Sequence, residues 1–207
     1  MKNITKQVSA IADKIHTIRE TKQRVLVAIA GAPGSGKSTL AEEVARRLNL
    51  QKCPTLVVPM DGFHIDNAVL ETRGHLPRKG APETFDGEGF LITIKRLQAE
   101  MEVYAPIFDR TRDIAIAGAV HIPADLPVII VEGNYLMFDE DPWNDITDIW
   151  DLTVRLDVPM EELRGRLIQR WLNQNLSRAA ATRRAESNDI PNAKRIIAQA
   201  IPCDITL

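Results

Sequence analysis

One short loop, "GAPGSGKS", constrains the fold more than any other part of this sequence. It follows the apolar run "RVLVAIA" (24–30), which predicts a buried strand, and it precedes a segment (38–48) with the apolar spacing of a helix. The pattern G-x-x-x-x-G-K-[ST] falls on Gly31, Gly36, Lys37 and Ser38. Its strand–loop–helix context is the one that phosphate binding by this pattern requires. The chain is therefore expected to bind a nucleotide through its phosphates.

The residue types in this loop indicate how the phosphates are held. Glycines let the loop turn tightly and turn its N–H groups toward phosphate oxygens, and the N-terminus of the following helix adds positive potential. Lys37 is expected to reach the β- and γ-phosphates, and the Ser38 hydroxyl to ligate Mg²⁺. The predicted nucleotide-binding residues are Gly31, Ala32, Pro33, Gly34, Ser35, Gly36, Lys37, Ser38 and Thr39.

Strand and helix patterns alternate along the rest of the chain. Apolar, β-branched runs predict further buried strands at 55–60, 128–133 and 152–158, and the terminal "CDITL" can supply one more. Helical patterns occupy 87–101 and 160–172, with weaker ones at 177–186 and 192–200. This alternation predicts an α/β fold of the P-loop NTPase type, with a mainly parallel sheet and helices on both faces.

Residues 1–207 are expected to form a single domain with three additions to the central pattern. The first is an N-terminal helix over 1–20, whose isoleucine and valine face either packs on its own domain or forms the seam of a homodimer. The second is the segment 103–122, which alternates polar and apolar residues and predicts a β-hairpin or an irregular excursion that caps the substrate. The third is a helical lid over 160–190.

Charge and composition argue against two classes of binding partner, nucleic acids and membranes. The formal net charge is -2, which argues against a generally basic nucleic-acid binder. No run approaches the roughly 18 apolar residues of a membrane span, so a cytoplasmic protein with no membrane partner is expected.

Two acidic residues follow predicted strands. Asp61 ends the run "TLVVPM" and Glu132 ends "VIIV". Because ligands bind beyond the carboxyl ends of parallel strands, both acids are expected to face the phosphate-binding loop. There Asp61 suits a general base and Glu132 a Mg²⁺ partner, although each acid can instead cap the next turn or helix.

The combination of "GAPGSGKS", "MDGFH", "RKGAPETFD" and "VEGNYL" resembles the P-loop small-molecule kinases that include uridine kinase, phosphoribulokinase and the bacterial type of pantothenate kinase. It is most similar to a bacterial branch labelled as fructose-transport-system or nucleoside-kinase-like proteins. The resemblance covers about residues 24–207. It implies that Asp61 is the catalytic base and that Glu132 assists Mg²⁺.

The resemblance also implies where the phosphate acceptor binds. The family stretch "KG-P-E---D", a loop near the acceptor in relatives, falls on Lys79, Gly80, Pro82, Glu83 and Asp86. The segment "PIFDR" resembles the acceptor-site "P-x-Y-D" of uridine kinase, with Phe108 in place of tyrosine. The predicted substrate-binding residues are His64, Arg78, Asp86, Phe108, Asp109 and Arg110. For His64, which follows Asp61 by three positions, the alternative is a structural histidine that forms hydrogen bonds within the fold.

The basic helix "RGRLIQRW" places Arg166 and Arg170 four residues apart, on one face. Their guanidinium groups can fold over the transferred phosphoryl group, and a lid arginine of related kinases implies this role for Arg170; a solvated helix face is the alternative. Arg183, Arg184, Asn188 and Asp189 can close the nucleotide end, or form a helix terminus and loop. The three tryptophans, Trp143, Trp150 and Trp171, are interpreted as packing in the core or the lid, and stacking on a ligand is the alternative.

These residues together predict a kinase that transfers the γ-phosphate of ATP, with Mg²⁺, to a hydroxyl of a small metabolite such as a sugar, a nucleoside or a pantothenate-like compound. Asp61, Lys37 and Arg170 are its predicted catalytic residues. The alternatives are a nucleotide-binding accessory protein and a regulatory NTPase. A GTPase is disfavoured because "DGEG" (86–89) follows no buried strand and no Asn-Lys-x-Asp string occurs.

Overall fold

The computed structural model describes residues 4–99 and 101–207. A five-stranded, fully parallel sheet lies at its centre in the order β2-β5-β1-β6-β7. Its strands are β1 (Val25–Gly31), β2 (Thr55–Pro59), β5 (Val128–Gly133), β6 (Leu152–Leu156) and β7 (Ile205–Thr206). Two further strands, β3 (Val103–Asp109) and β4 (Ile114–Ile122), form a separate antiparallel hairpin.

Seven α-helices are present in the described part of the chain. They are α1 (Ile4–Arg19), α2 (Lys37–Leu50), α3 (Asn67–Thr72), α4 (Gly87–Gln98), α5 (Met160–Asn173), α6 (Arg178–Arg184) and α7 (Ile190–Ala198). None of the helices in this part of the chain has the length and apolar character that crossing a bilayer requires.

The two faces of the sheet bury separate apolar clusters. Successive side chains of a strand point to opposite faces, and β1 follows this rule. Val25, Val27 and Ile29 pack with α1 and α2 on one face, while the intervening residues of β1 pack with α4 and the aromatic residues after β5 on the other. The predicted α/β architecture, a mainly parallel sheet with helices on both faces, is confirmed.

The N-terminal helix packs on its own domain. Val8, Ile11, Ala12 and Ile15 of α1 are buried in the cluster that also contains the inner face of α2. Ile4, which belongs to the predicted apolar face, is 43% exposed. Residues 1–3 of the predicted helix lie outside the described residues.

The observed elements differ from the predicted ones mainly at their ends. The strand predicted over 55–60 stops at Pro59, because Met60–Phe63 turns as a 3-10 helix. The helix predicted over 87–101 ends at Gln98. The one predicted over 192–200 begins at Ile190, where it continues without a break from α6 through a π-helical turn, Ala185–Asp189. The segment 103–122 forms a hairpin, the first of its two expected alternatives, and "CDITL" supplies β7.

Candidate active site

The carboxyl ends of three adjacent strands build one crevice. In the sheet β5 lies between β2 and β1, and Glu132 of β5 is in register with both Pro59 and Ile29. Asp61 lies two residues beyond the end of β2, and the phosphate-binding loop follows β1. Since all three strands run in the same direction, the loop and the two acids meet at one edge of the sheet, as their sequence positions predict.

Two glycines of the phosphate-binding loop adopt backbone conformations that other residues rarely adopt. Gly34 and Gly36 have φ values of +79° and +96°, in the left-handed region that side chains disfavour. At Gly31 a close approach is the reason, because a Cβ there would lie 2.6 Å from the Ser35 hydroxyl oxygen. The loop ends at Lys37, the first residue of α2, so the free N–H groups of a helix start face the crevice.

Arg166 of α5 holds the loop from outside. Its guanidinium Nη1 donates to the carbonyl oxygens of Gly34 and Ser35, both at 3.0 Å, and its Nη2 pairs with Glu162 at 2.5 Å. A trans peptide group points its C=O and N–H in opposite directions. The contact that draws the Ser35 carbonyl outward therefore turns the Gly36 N–H inward. The structure thus places Arg166 on the loop and not over a phosphoryl group.

A central cavity of about 580 Å³ opens beside the loop and Asp61. Seven of the residues predicted to be catalytic, nucleotide-binding or substrate-binding line it: Pro33, Lys37, Asp61, His64, Phe108, Arg110 and Arg170. The remaining lining residues are Leu76, Pro77, Lys79, Gly80, Phe85, Asp113, Asn134, Trp171, Gln174, Arg184, Asp189 and Asn192. The loop, the hairpin and the predicted lid all contribute to this one space.

Asp61 is held as a carboxylate. Arg110, in the turn of the hairpin, donates from Nη2 to Asp61 Oδ2 at 2.5 Å. Burial acts to raise the pKa of Asp61, but Lys37, Arg110 and Arg170 outweigh it, so the pKa lies below its ordinary value. Asp61 is therefore ionised at neutral pH and can accept a proton.

For Glu132 the effect of burial outweighs that of the neighbouring positive charges, so its pKa is raised. It is 5% exposed, and its Oε2 has no hydrogen-bond partner among the described residues. Burial raises the pKa of Glu132, with a contribution from the charge of Asp61, and Lys37 together with a hydrogen bond to Ser38 offsets this only in part. A buried carboxylate with an unused oxygen beside a serine hydroxyl is a donor set that suits a hard cation such as Mg²⁺.

Three aromatic rings that line the central cavity are in contact with one another. His64 lies between Phe85, at 4.0 Å between ring centroids, and Phe108, at 4.5 Å. Its Nδ1 is 2.7 Å from the backbone oxygen of Asp61, which can only accept, so Nδ1 carries the proton. Burial lowers the pKa of His64, which leaves the ring neutral at pH 7. Lys79 Nζ lies 4.9 Å from the Phe108 centroid.

The helices after β6 cover the cavity. Arg170 of α5 lines it, and burial together with the like charge of Arg110 lowers the pKa of Arg170. Trp171 donates from Nε1 to Asp189 and receives Arg184 against its ring at 5.2 Å. As predicted, the three tryptophans pack in core or lid: Trp143 is buried in the core, Trp150 packs against the same cluster, and Trp171 packs against the lid cluster. Trp171 also lines the cavity.

Three predicted acceptor-site residues do not line the central cavity. Asp86 is the N-cap of α4, where Oδ1 accepts from the Gly89 N–H at 2.9 Å, and it lines a neighbouring cavity of about 670 Å³. Arg78 pairs with Glu83 at 3.0 Å. Asp109 closes the hairpin turn, since it accepts from two backbone N–H groups and pairs with Arg112 at 2.7 Å.

Sequence reasoning missed two residues of this region. Asn134 follows Glu132 by two positions and lines the central cavity, with a buried Oδ1 that has no partner among the described residues. Its position at the same strand end could have identified it. Gly62 is the other, because a Cβ there would lie 2.6 Å from the carbonyl carbon of Pro106 and closer still to its oxygen. Only glycine lets the hairpin approach the turn that carries Asp61.

Comparison with known proteins places this geometry in context. Residues 26–192 match the Phosphoribulokinase / Uridine kinase family. The chain superposes with a TM-score of 0.92 on a crystal structure from Silicibacter sp. TM1040 described as a "putative fructose transport system kinase", at 51% identity over 97% of this chain and 98% of that one. It is also 31% identical to protein YggC of Escherichia coli strain K12 over 95% of this chain and 82% of that protein. A uridine kinase of Ureaplasma parvum is 30% identical over 74% of this chain and 72% of its own.

Proposed function

The chain belongs to the phosphoribulokinase/uridine kinase family, a family of P-loop small-molecule kinases, and on this basis we propose that it transfers the γ-phosphate of ATP to a hydroxyl group of a small metabolite, with Mg²⁺ as its cofactor. One observation carries the proposal. Asp61 is ionised and lines the same cavity as Lys37 and Arg170. A base and two phosphate-binding cations thus border one space that can hold an acceptor.

Each of these residues has one task. Asp61 accepts the proton of the acceptor hydroxyl, whose oxygen forms the new bond to the γ-phosphorus while the bond from that phosphorus to the β–γ bridging oxygen breaks and ADP leaves. Lys37 binds the β- and γ-phosphates, and Arg170 stabilises the charge of the group in transfer. Positioning and electrostatics supply the rate acceleration, because the protein forms no covalent intermediate in this scheme.

Mg²⁺ fits the unpaired Glu132 oxygen and the neighbouring Ser38 hydroxyl, which would hold it. When bound, the ion neutralises charge between the phosphates. The predicted lid, residues 160–190, supplies Arg170 and Trp171 to the cavity wall and would exclude water, so that ATP is not hydrolysed.

The test is release of ADP from Mg·ATP by the purified protein over a panel of small hydroxyl compounds, beside the variant Asp61→Asn. The variant removes the base and keeps the shape, so we expect turnover to fall about 10²- to 10⁴-fold with nearly unchanged affinity for Mg·ATP. The control is Asp125→Asn, an exposed aspartate in the turn after β4. Equal turnover by wild type and Asp61→Asn would contradict the role of Asp61, and ATP binding without any acceptor-stimulated turnover would favour a nucleotide-binding accessory protein.

A further inference from the structure

Positive charge dominates the central cavity. Five cationic side chains line it, Lys37, Lys79, Arg110, Arg170 and Arg184, against three carboxylates, Asp61, Asp113 and Asp189. The neutral His64 adds no charge, and partial burial raises the pKa of Asp189 although Trp171 donates a hydrogen bond to it. The cavity therefore favours anionic ligands.

The nucleotide accounts for only part of this charge. In the proposed reaction Lys37 and Arg170 bind the phosphates of ATP. Lys79 is already neutralised, since its Nζ lies 3.0 Å from Asp113 Oδ2 and 2.6 Å from Asn67 Oδ1. Arg110 is different, because it lies in the turn of the hairpin and its carboxylate partner among the described residues is Asp61, the proposed base itself.

Arg110 can bind an anion without leaving Asp61. A guanidinium group has five N–H donors in a planar fork, and the contact with Asp61 uses Nη2 alone. A second anion beside Asp61 would meet the remaining donors, in the bidentate geometry that carboxylates and phosphates favour. It would also relieve the repulsion that Arg110 exerts on Arg170, whose pKa burial and the charge of Arg110 lower.

The aromatic residues of the cavity argue against a flat, neutral base as acceptor. Phe85 and Phe108 lie 4.0 and 4.5 Å from the ring of His64, and Lys79 lies against Phe108. Trp171 is in contact with the guanidinium groups of Arg184 and Arg170. These rings are therefore already in contact with side chains of the protein, through tilted ring pairs and cation–π contacts, which leaves less ring surface for stacking on a nucleobase.

We propose that the acceptor carries an anionic group, a carboxylate or a phosphate, near the hydroxyl that is phosphorylated, and that Arg110 binds this group while Asp61 receives the hydroxyl proton. This inference rests on the proposed kinase function and specifies its substrate class. Arg110 is thereby a specificity-determining residue, and the contact between Arg110 and Asp61 aligns the two functional groups of the acceptor.

The experiment compares matched acceptors that differ in charge. ADP release is measured with glycerate against glycerol, gluconate against glucose, fructose 6-phosphate against fructose, and uridine 5′-monophosphate against uridine. The carboxylate and phosphate pairs separate the two sources of anionic charge. Binding of each compound is measured in parallel by calorimetry, in the presence of an ATP analogue whose γ-phosphate cannot be transferred.

Two variants accompany the wild type. Arg110→Gln removes the charge and the fork, and we expect it to raise the KM for the anionic acceptor about 10- to 100-fold, with little change in the KM for ATP. Arg110→Lys retains the charge and should recover part of the loss. Arg112→Gln is the control, because Arg112 lies in the same hairpin turn and pairs with Asp109 outside the cavity.

The outcomes separate this inference from the proposed function. Preferential use of the anionic member of a pair, lost in Arg110→Gln, supports both. Turnover of neutral members at equal or higher kcat/KM, or a rise in the KM for ATP in place of the acceptor KM, overturns the inference and leaves the kinase function standing. If no compound raises ADP release, the kinase function is contradicted. Binding then decides the inference: binding of anionic members that depends on Arg110 supports it, and absent or charge-independent binding overturns it.

Discussion

Arg166 offers the sharpest test of how the phosphate-binding loop keeps its shape. Its side chain reaches from α5 to the carbonyl oxygens of Gly34 and Ser35, at 3.0 Å each. The variant Arg166→Gln removes both contacts while the glutamine remains a good helix residue. Without them, the peptide between Ser35 and Gly36 is free to rotate, and its N–H no longer points permanently toward the phosphates.

The size of the effect follows from the two contacts. A hydrogen bond from a charged donor contributes about 1.5–3 kcal/mol when it is buried. The Arg166 side chain is 43% exposed, so solvent screening reduces each contact to about 0.5–1 kcal/mol. The total of about 1–2 kcal/mol corresponds to a loss of about 5- to 30-fold in affinity for Mg·ATP.

The assay is the Kd of Mg·ATP by calorimetry, with Arg164→Gln as the matched control. Arg164 lies on the same helix and pairs with Glu186 at 2.6 Å, away from the loop. Arg166→Lys should recover only part of the affinity, because one ammonium group lacks the planar fork. An unchanged Kd in Arg166→Gln, or an equal loss in Arg164→Gln, would refute the reasoning.

Three other predictions concern the surroundings of Asp61. Glu132→Gln removes a buried charge with an unpaired oxygen, so it should stabilise the nucleotide-free protein by about 1 kcal/mol, which corresponds to a rise of about 2–4 °C in melting temperature. The same variant should lose Mg²⁺-dependent turnover. A melting temperature below that of the wild type would contradict the prediction. Because burial lowers the pKa of His64 below 6.5, the unfolded chain binds a proton at a higher pH than the folded one, so stability falls as pH decreases below about 6.5. This loss, measured by urea unfolding at pH 7.5 and 5.5, should be smaller in His64→Phe, and an equal loss would exclude His64 as its source. Gly62→Ala should cost about 1–3 kcal/mol, because its methyl group would collide with the Pro106 backbone, and should reduce acceptor turnover more than Mg·ATP binding; wild-type stability in this variant would show that the contact is loose.

Local patterns in the sequence predict the sheet and the nucleotide side of the site. The strands are continuous apolar runs, and the residues that follow β1, β2 and β5 share one edge in any parallel sheet. Lys37, Asp61 and Glu132 could therefore be placed together without knowledge of the strand order. Element ends were less predictable, since the turn at Met60–Phe63 depends on packing and not on propensity.

The sequence does not predict the roles of residues whose partners lie far away along the chain. Arg166 and Gly34 are 132 positions apart, and nothing in "RGRLIQRW" indicates that one arginine binds a backbone and the other faces a cavity. The same holds for Asp86 and Arg78. Both lie in a stretch that resembles an acceptor loop, yet Asp86 caps a helix and Arg78 pairs with Glu83. A motif lists residue types, while side-chain direction is set by the fold around them.

The segment "MDGFH" shows how much a motif can specify once the fold is known. Asp61 faces the cavity, while Phe63 is buried and meets Phe90 edge-on at 5.1 Å, which anchors the turn in the core. Gly62 admits the backbone of the hairpin, and the His64 ring contacts the ring of Phe108 on the same hairpin. These contacts bring Arg110 to Asp61. The motif therefore does more than supply a base: it fixes the distance between the base and the hairpin, and in the proposed reaction that distance sets which acceptors can place a hydroxyl on Asp61 and a charge on Arg110.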